Sequence, residues 1–132
     1  LDVDKEYDLI TLAQYYVNEK NSRNKINQTI LDEFSRRAQL TENHKILARL
    51  PIDTYWTTNY DSMIEDALKQ EGKIVDVKYT NDHLPVSLHK KDATVYKMHG
   101  DYQHPNSTTL IKDDYEKYHL NKNELYFLQV LF

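Results

Sequence analysis

Cysteine is absent from this 132-residue chain, and glycine and proline are scarce, with two and three residues. Without cysteine the chain can form no disulfide, no cysteine nucleophile and no cysteine-ligated zinc site. The apolar runs are far shorter than the roughly 20 residues of a membrane span, and no signal peptide opens the polar first segment. We therefore expect a soluble, cytoplasmic protein that has no membrane partner.

An excess of positive charge is also missing. The chain has 17 Lys and Arg against 21 Asp and Glu, for a net charge of −4. The basic pairs at residues 36–37 and 90–91 are short and typical of solvated helix or loop ends. Because no basic field can hold a phosphate backbone, we expect no nucleic-acid partner. The length fits one domain, which can bury a core without metal or disulfide.

Apolar residues at helical spacing predict that the first fifty residues are helical. The predicted helices cover residues 9–17, residues 26–34 and a short segment that Thr41 caps and that ends before Pro51. The chain begins with Leu1, not Met, and it stops inside an apolar run at residues 125–132. Since native termini are usually solvated, we expect it to be a piece of a longer protein.

After residue 51, segments with strand and helix patterns alternate along the chain. Strands are predicted at residues 54–58, 74–79 and 93–98, and a helix at residues 61–69 with Gly72 as its C-cap. This order predicts an α/β fold with a Rossmann-like, doubly wound parallel sheet and flanking helices.

The remaining segments are predicted as loops, short strands and helices. Short strands are expected at residues 86–88, within the loop 81–91, and at residues 108–111, after the loop 99–107. Asp113 is expected to cap a helix that includes Tyr115 and Tyr118, and a last helix begins near Asn123.

Polar residues follow the first predicted strand, where Asn59 and Asp61 enter a turn before a helix. A carboxamide both donates and accepts hydrogen bonds, and a carboxylate accepts them, so both side chains could hold a ribose hydroxyl or a water. The alternative is helix capping, for which Asn and Asp are preferred residues, and the turn alone favours that interpretation.

A second polar turn, His99-Gly100-Asp101, follows the third predicted strand. Histidine titrates near neutral pH, which suits a general base, and Gly100 allows the backbone to approach a ligand closely. The alternative is a surface histidine in an ordinary β-turn. Because ligands bind beyond the carboxyl ends of strands in such sheets, we expect this turn and the Asn59–Asp61 turn to meet.

Taken together, residues 50–61, 95–101 and 110–118 resemble the sirtuin-like domain family, in particular its bacterial NAD hydrolase branch. The resemblance covers about residues 44–132 and depends mainly on pairing Thr-Thr-Asn-Tyr-Asp with His-Gly-Asp. It implies that His99 is the catalytic base and that Asn59 and Asp61 act at the nicotinamide ribose and its reactive water. The residues that the resemblance places at the NAD site are Thr57, Thr58, Asn59, Asp61 and Gly100.

The resemblance also implies an incomplete domain. The family's N-terminal glycine-rich loop, which holds a pyrophosphate on a helix N-terminus, cannot be formed with two glycines. A later strand of the adenosine pocket is also missing. We therefore expect residues 1–132 to be a partial domain, with a helical region 1–50 and a catalytic α/β part 51–132, that by itself binds NAD weakly.

The implied activity is hydrolysis of NAD, the substrate, to nicotinamide and ADP-ribose in bacterial anti-phage defence, without a metal. A carboxylate and an amide oxygen can stabilise the positive charge that develops on the ribose, and a neutral histidine can accept a proton. Two alternatives stay open. One is a non-catalytic domain that binds NAD, ADP-ribose or a protein, in a homo-oligomer or defence complex. The other is NAD-dependent protein deacylation, against which the lack of cysteine argues.

The remaining aromatic and histidine side chains suggest less specific roles. Tyr55, Trp56 and Tyr60 could stack on a base or nicotinamide ring, although core packing is the favoured interpretation for Tyr55 and Trp56. Four histidines lack a metal-ligand spacing and are interpreted as loop or surface residues: His83, His89, His104 and His119.

Overall fold

The computed structural model describes residues 8–37 and 39–131, without the side chains of Ser35 and Arg37. Both ends of the chain, Leu1 and Phe132, lie outside this description. The α-helices within it are α1 (Leu9–Lys20), α2 (Asn24–Arg37), α3 (Glu42–Arg49), α4 (Met63–Gln70), α5 (Lys112–Glu116), α6 (Tyr118–Asn121) and α7 (Asn123–Leu131). The strands are β1 (Thr54–Thr57), β2 (Val75–Lys78) and β3 (Ala93–Lys97).

The three strands form one parallel sheet in the order β1-β3-β2. Val95 lies beside both Tyr55 and Val77, which places β3 between the other two strands. A helix or loop connects each strand to the next, as parallel pairing requires. The predicted α/β class, with a Rossmann-like parallel sheet and flanking helices, is confirmed.

The core lies between one face of this sheet and helices α3 and α4. Tyr55 and Val95 point to the same face, where they pack with Ala48, Ala67 and Leu68. The Tyr55 hydroxyl donates to the Leu47 carbonyl oxygen at 2.9 Å, so that its polar end is satisfied at the edge of the core. This confirms the packing interpretation for Tyr55.

The predicted N-terminal helices are confirmed, although α1 and α2 extend beyond the predicted ranges 9–17 and 26–34. Thr41 caps α3, and its hydroxyl accepts a hydrogen bond from the His44 amide at 3.5 Å. Glu71 is the C-cap of α4, and Gly72 follows it with a φ of +77°, the left-handed conformation that glycine adopts readily after a helix. No helix in the described ranges is long and apolar enough to cross a bilayer.

The strand predicted at residues 86–88 is wrong. Lys78 is buried, and its ammonium group donates to the carbonyl oxygens of His83 at 2.8 Å and Val86 at 2.6 Å. These bonds hold the segment after β2 in turns around the lysine, including a 3₁₀ turn at Asn81–His83. The carbonyl groups of the segment therefore do not line up for pairing with a strand.

The strand predicted at residues 108–111 and the cap predicted at Asp113 are also wrong. Side chains take up the carbonyl oxygens there: Arg23 donates to Thr108, and the Tyr60 hydroxyl donates to Thr109. Helix α5 begins after Ile111, where the Asp114 carboxylate accepts backbone hydrogen bonds. The predicted single helix is two helices, because α5 ends at Glu116 and α6 begins at Tyr118.

Candidate functional site

The two polar turns meet at one edge of the sheet. Because β1 and β3 are parallel neighbours, the turns that follow these two strands leave the sheet at the same edge. The Met98 amide donates to the Thr57 carbonyl oxygen at 2.8 Å, and the Tyr102 amide donates to the Tyr60 carbonyl oxygen at 2.9 Å. Backbone hydrogen bonds thus join the turns after β1 and β3 at two places.

In the turn after β1, Asp61 and Asn59, the two residues that the sequence suggested as helix caps, have different roles. Asp61 Oδ1 accepts a hydrogen bond from the Met63 amide at 3.0 Å, in the first turn of α4. The side chain of Asp61 therefore has a structural role at the start of the helix. Thr57 Oγ1 accepts from the Asn59 amide at 3.0 Å, and this bond holds Thr58 and Asn59 in an exposed turn that a ligand can reach.

The turn after β3 begins with His99, which is half buried. The edges of two tyrosine rings surround its imidazole, with ring centroids 5.5 Å away for Tyr115 and 6.0 Å away for Tyr118. Burial lowers the pKa of His99 below 6.5, and the positive charge of Lys122 lowers this pKa further. His99 is consequently neutral at neutral pH, the state in which an imidazole can accept a proton.

Gly100 is the one position in this turn that only glycine fits. Its φ is +100°, and a Cβ atom would lie 2.8 Å from the Cα of Thr108 and 3.0 Å from the Ser107 carbonyl oxygen. Both of these atoms belong to the backbone, which cannot move aside as a flexible side chain can. The close approach brings the 105–109 loop against the turn that carries His99.

We expect Gly100→Ala to lower the free energy of unfolding by about 3 kcal/mol or more, through backbone strain together with the steric clash. Gly72→Ala is the matched control, because Gly72 also has a positive φ but has no atom within 4 Å of an added Cβ. It should cost about 1–2 kcal/mol, the cost of the left-handed conformation alone. Urea unfolding of both variants measures the difference. Equal losses of unfolding free energy would contradict the prediction and show that the 105–109 loop can move away from the added Cβ.

Lys97, a site residue that the sequence analysis missed, connects the two turns. It is the last residue of β3, and its side chain is 0% exposed. Its ammonium group donates to the carbonyl oxygens of Tyr60 at 3.1 Å and Asp61 at 2.6 Å, and to Asp101 Oδ1 at 2.5 Å. One buried charge therefore holds the backbone of the first turn to a carboxylate of the second.

Two carboxylates surround this buried lysine. Glu65 Oε1 lies 3.0 Å from the Lys97 ammonium group, whereas Oε2 has no hydrogen-bond partner among the described atoms. Burial raises the pKa of Glu65, an effect that the charge of Lys97 opposes. Asp101 uses its second oxygen to accept from the Gln103 amide and to pair with His104 Nδ1, both at 3.1 Å. His104, interpreted from the sequence as a simple loop residue, thus extends the network to the surface.

A signal for Lys97 was present in the sequence. Side chains alternate between the two faces of a strand, so residues 93, 95 and 97 lie on the same face, and Lys97 shares the buried face with Ala93 and Val95. A charged residue at an inward position needs a charged or hydrogen-bonding partner. The partners could not be read from the sequence, because Glu65 lies 32 positions away.

Aromatic residues around the site interact mainly with the protein itself. Trp56 stacks on Tyr96 with 4.1 Å between ring centroids, so Trp56 packs on the sheet. The Tyr60 hydroxyl donates to the Thr109 carbonyl oxygen at 2.5 Å, and its ring meets the edge of Phe34. Across residues 8–37 and 39–131, no three His, Asp or Glu side chains are arranged to hold a metal ion.

A parallel sheet with polar turns at the carboxyl ends of neighbouring strands defines an α/β ligand-binding domain. Sequence comparison makes this class specific, because the model of the SIR2-like domain matches residues 53–131. The chain therefore belongs to the SIR2-like domain family, which confirms the sirtuin-like resemblance found in the sequence.

The chain is also similar to curated proteins called NAD(+) hydrolase ThsA. It is 67% identical over 119 residues to the one from Bacillus cereus (strain MSX-D12), which corresponds to 89% of this chain and 25% of the relative. It is 54% identical over 121 residues to the one from Acinetobacter baumannii (strain 532279), covering 92% of this chain and 25% of the relative. The chain thus spans about a quarter of the length of these relatives.

Proposed function

We propose that the protein contributes the catalytic turns of an NAD hydrolase, which releases nicotinamide and ADP-ribose from NAD. The observation that carries this proposal is a neutral, half-buried His99 on a turn that is hydrogen bonded to the Asn59–Asp61 turn. The names of the curated relatives agree with it, since they describe hydrolysis of NAD(+).

In this proposal, each turn has its own task in cleavage of the bond between nicotinamide and ribose. Positive charge develops on the ribose as this bond breaks, and the oxygens of Asn59 and Asp61 stabilise it. One oxygen of Asp61 is engaged by the Met63 amide, so the other is the one available to a ribose hydroxyl. His99 accepts a proton from a ribose hydroxyl or from the attacking water.

The other site residues contribute to binding in this proposal. Thr57 and Thr58 shape the exposed turn that presents Asn59, and Gly100 lets the 105–109 loop pack against the turn that carries His99. NAD is the substrate, and no step needs a metal. A glycine-rich pyrophosphate loop is not part of this sequence, so residues 1–132 supply the reacting end of the site and by themselves bind NAD weakly.

The biological setting is a part of the proposal that only the family resemblance supports. We place the activity in the cytoplasm of a bacterium, where depletion of NAD halts a cell infected by phage. A second copy of the chain or a defence-complex protein is the partner proposed there. This chain spans about a quarter of the length of its relatives, so the signal that activates the whole protein is not part of the proposal.

The experiment that tests the proposal is incubation of the full-length protein with NAD, followed by chromatographic measurement of both products. We expect nicotinamide and ADP-ribose in equal amounts, without any acylated peptide present. Asn59→Ala should reduce both products at least a hundredfold, a loss typical of a transition-state contact. Because Asn59 is exposed, the melting temperature should stay unchanged.

Two other outcomes would overturn the proposal in different ways. Nicotinamide release that depends on an acylated peptide would identify a deacylase. Tight binding of NAD, measured by calorimetry, without products after long incubation would identify a binding domain.

A further inference from the structure

A cavity of about 230 Å³ is lined mainly by polar residues of the segments 106–109 and 118–122, which contact the turn that carries His99. Backbone bonds and side-chain contacts tie its walls to the catalytic turn: the Thr109 amide donates to the His99 carbonyl oxygen, and the Tyr118 ring contacts the imidazole. The wall residues used below are Asn106, Thr108, Asp114, Tyr118 and Lys122.

Lys122 brings a buried positive charge to this cavity. The residue is 5% exposed, and its ammonium group donates to the Met98 carbonyl oxygen at 3.3 Å. Tyr118 donates to the same oxygen at 3.0 Å. An ammonium group has three hydrogens to donate, so two of them have no partner in the described part of the chain. A buried charge without a full set of partners is costly, which favours a ligand that supplies acceptors.

The carboxylate in the cavity wall, Asp114, favours the charged form of Lys122, but its own direct ion pair is with Arg23. Arg23 Nη1 lies 2.8 Å and 2.6 Å from the two oxygens of Asp114. The amides of Leu110 and Ile111 also donate to Asp114 Oδ2, at 2.9 Å and 3.0 Å. Because Arg23 balances the charge of Asp114, these two residues and Lys122 together carry one positive charge.

A chain of hydrogen bonds fixes the orientation of a second donor. Arg23 Nε can only donate a hydrogen bond, and it lies 3.0 Å from the side-chain amide of Asn27. The Asn27 atom that faces Arg23 is therefore the acceptor Oδ1, and the NH₂ group of Asn27 points the other way. Asn27 Nδ2 then donates to Asn106 Oδ1 at 2.6 Å. The NH₂ group of Asn106 is therefore the end of its amide that is left to donate to a ligand.

We propose that this cavity binds a phosphate-type oxyanion, which Lys122 pairs by charge and Asn106 contacts through its NH₂ group. A water molecule occupies about 30 Å³ in the liquid, so the cavity holds one phosphate group with a few waters. Burial lowers the pKa of Lys122 to about 8, an effect that Asp114 opposes. The amine is thus still mostly protonated at neutral pH, and a bound anion would raise its pKa.

The first test is titration calorimetry of the full-length protein with inorganic phosphate at constant ionic strength. Lys122→Met should weaken phosphate binding at least tenfold, because it removes the buried charge and largely keeps the shape of the side chain. Lys117→Met is the matched control, since Lys117 is exposed at the opposite end of α6 and should leave the affinity within twofold. Absent phosphate binding, or equal affinity in all three proteins, overturns the proposal.

The second test needs no substitution, so it stands even if Lys122→Met does not fold. In protein labelled with ¹³C-lysine, the pKa of Lys122 can be followed by NMR with and without phosphate. We expect the pKa to rise by half a unit or more with phosphate, and an unchanged pKa contradicts the proposal.

The source of the oxyanion is decided by a third titration, with adenosine monophosphate. Tighter binding than that of phosphate, lost in Lys122→Met, assigns the cavity to the phosphate of a nucleotide. Equal affinity assigns it to free phosphate, and both results support the oxyanion site. None of these measurements uses NAD cleavage, so failure here leaves the proposed hydrolase activity unaffected.

Discussion

Replacing His99 by Ala is expected to lower the rate of NAD cleavage by about 10²–10⁴-fold, the usual contribution of a general base. The half-buried imidazole lies between the edges of Tyr115 and Tyr118, and its removal deletes the neutral base that the turn after β3 carries. The loss should appear mainly in kcat, because proton transfer takes place in the transition state.

The control for this substitution is His119→Ala, which removes an exposed histidine of α6 and should leave the rate unchanged. Nicotinamide release measured at saturating NAD checks both variants. Retention of more than about a tenth of the wild-type rate by His99→Ala would falsify the role of His99 as the base.

The role of His99 as a base also predicts how the rate of NAD cleavage depends on pH. Burial and the charge of Lys122 both lower the pKa of His99 below 6.5, so the imidazole becomes protonated only as the pH falls through this lowered value. The rate should therefore hold at neutral pH and fall on the acidic side. Lys122→Met removes the like charge, which raises the pKa of His99, so the acidic limb of the rate profile should move to higher pH.

The largest effect on stability is expected from Lys97→Met, which should lower the free energy of unfolding by about 3–5 kcal/mol. The substitution leaves Glu65 and Asp101 buried without the cation that lies between them, and it removes the donor to the Tyr60 and Asp61 carbonyl oxygens. Because these oxygens belong to the turn that presents Asn59, the rate of NAD cleavage should fall as well.

Lys91→Met is the matched control for Lys97→Met. Lys91 is partly exposed and lies 3.6 Å from Asp76, and surface pairs of this kind contribute at most about 1 kcal/mol. Urea unfolding compares the two variants, and similar midpoints would mean that the buried network contributes little.

A double-mutant cycle locates the cost within the network. Burial raises the pKa of Glu65, so Glu65→Gln imitates the protonated side chain and should be tolerated far better than Lys97→Met. If uncompensated negative charge causes the loss, combining the two substitutions should recover part of the stability.

Local patterns predicted much of the fold and the places where a site could form. Strand and helix periodicities predicted β1, β2, β3 and α4, and they predicted a parallel sheet whose strand ends carry the two polar turns. These features follow from residues that are near in sequence, since a strand alternates its side chains and a turn follows from its own composition. The motifs at Asn59 and His99 also carried enough information to indicate the family.

The segments that the sequence analysis predicted wrongly depend on partners far along the chain. Residues 108–111 have a sequence suited to a strand, but side chains of Arg23 and Tyr60, 85 and 49 positions away, occupy the carbonyl groups that a strand would use. Residues 86–88 instead turn around the buried ammonium group of Lys78. Tertiary contacts override local propensity wherever they satisfy the backbone in another way.

The sequence by itself determined the parallel α/β framework and the order of its two polar turns, because both depend on spacing along the chain. Only the tertiary structure decided which charges are buried and what faces them. Strand alternation indicates the inward position of Lys97, but the partners of Lys97 and Lys122 come from residues of other elements. Burial makes such charges matter, since an ion removed from water must find its partners within the protein.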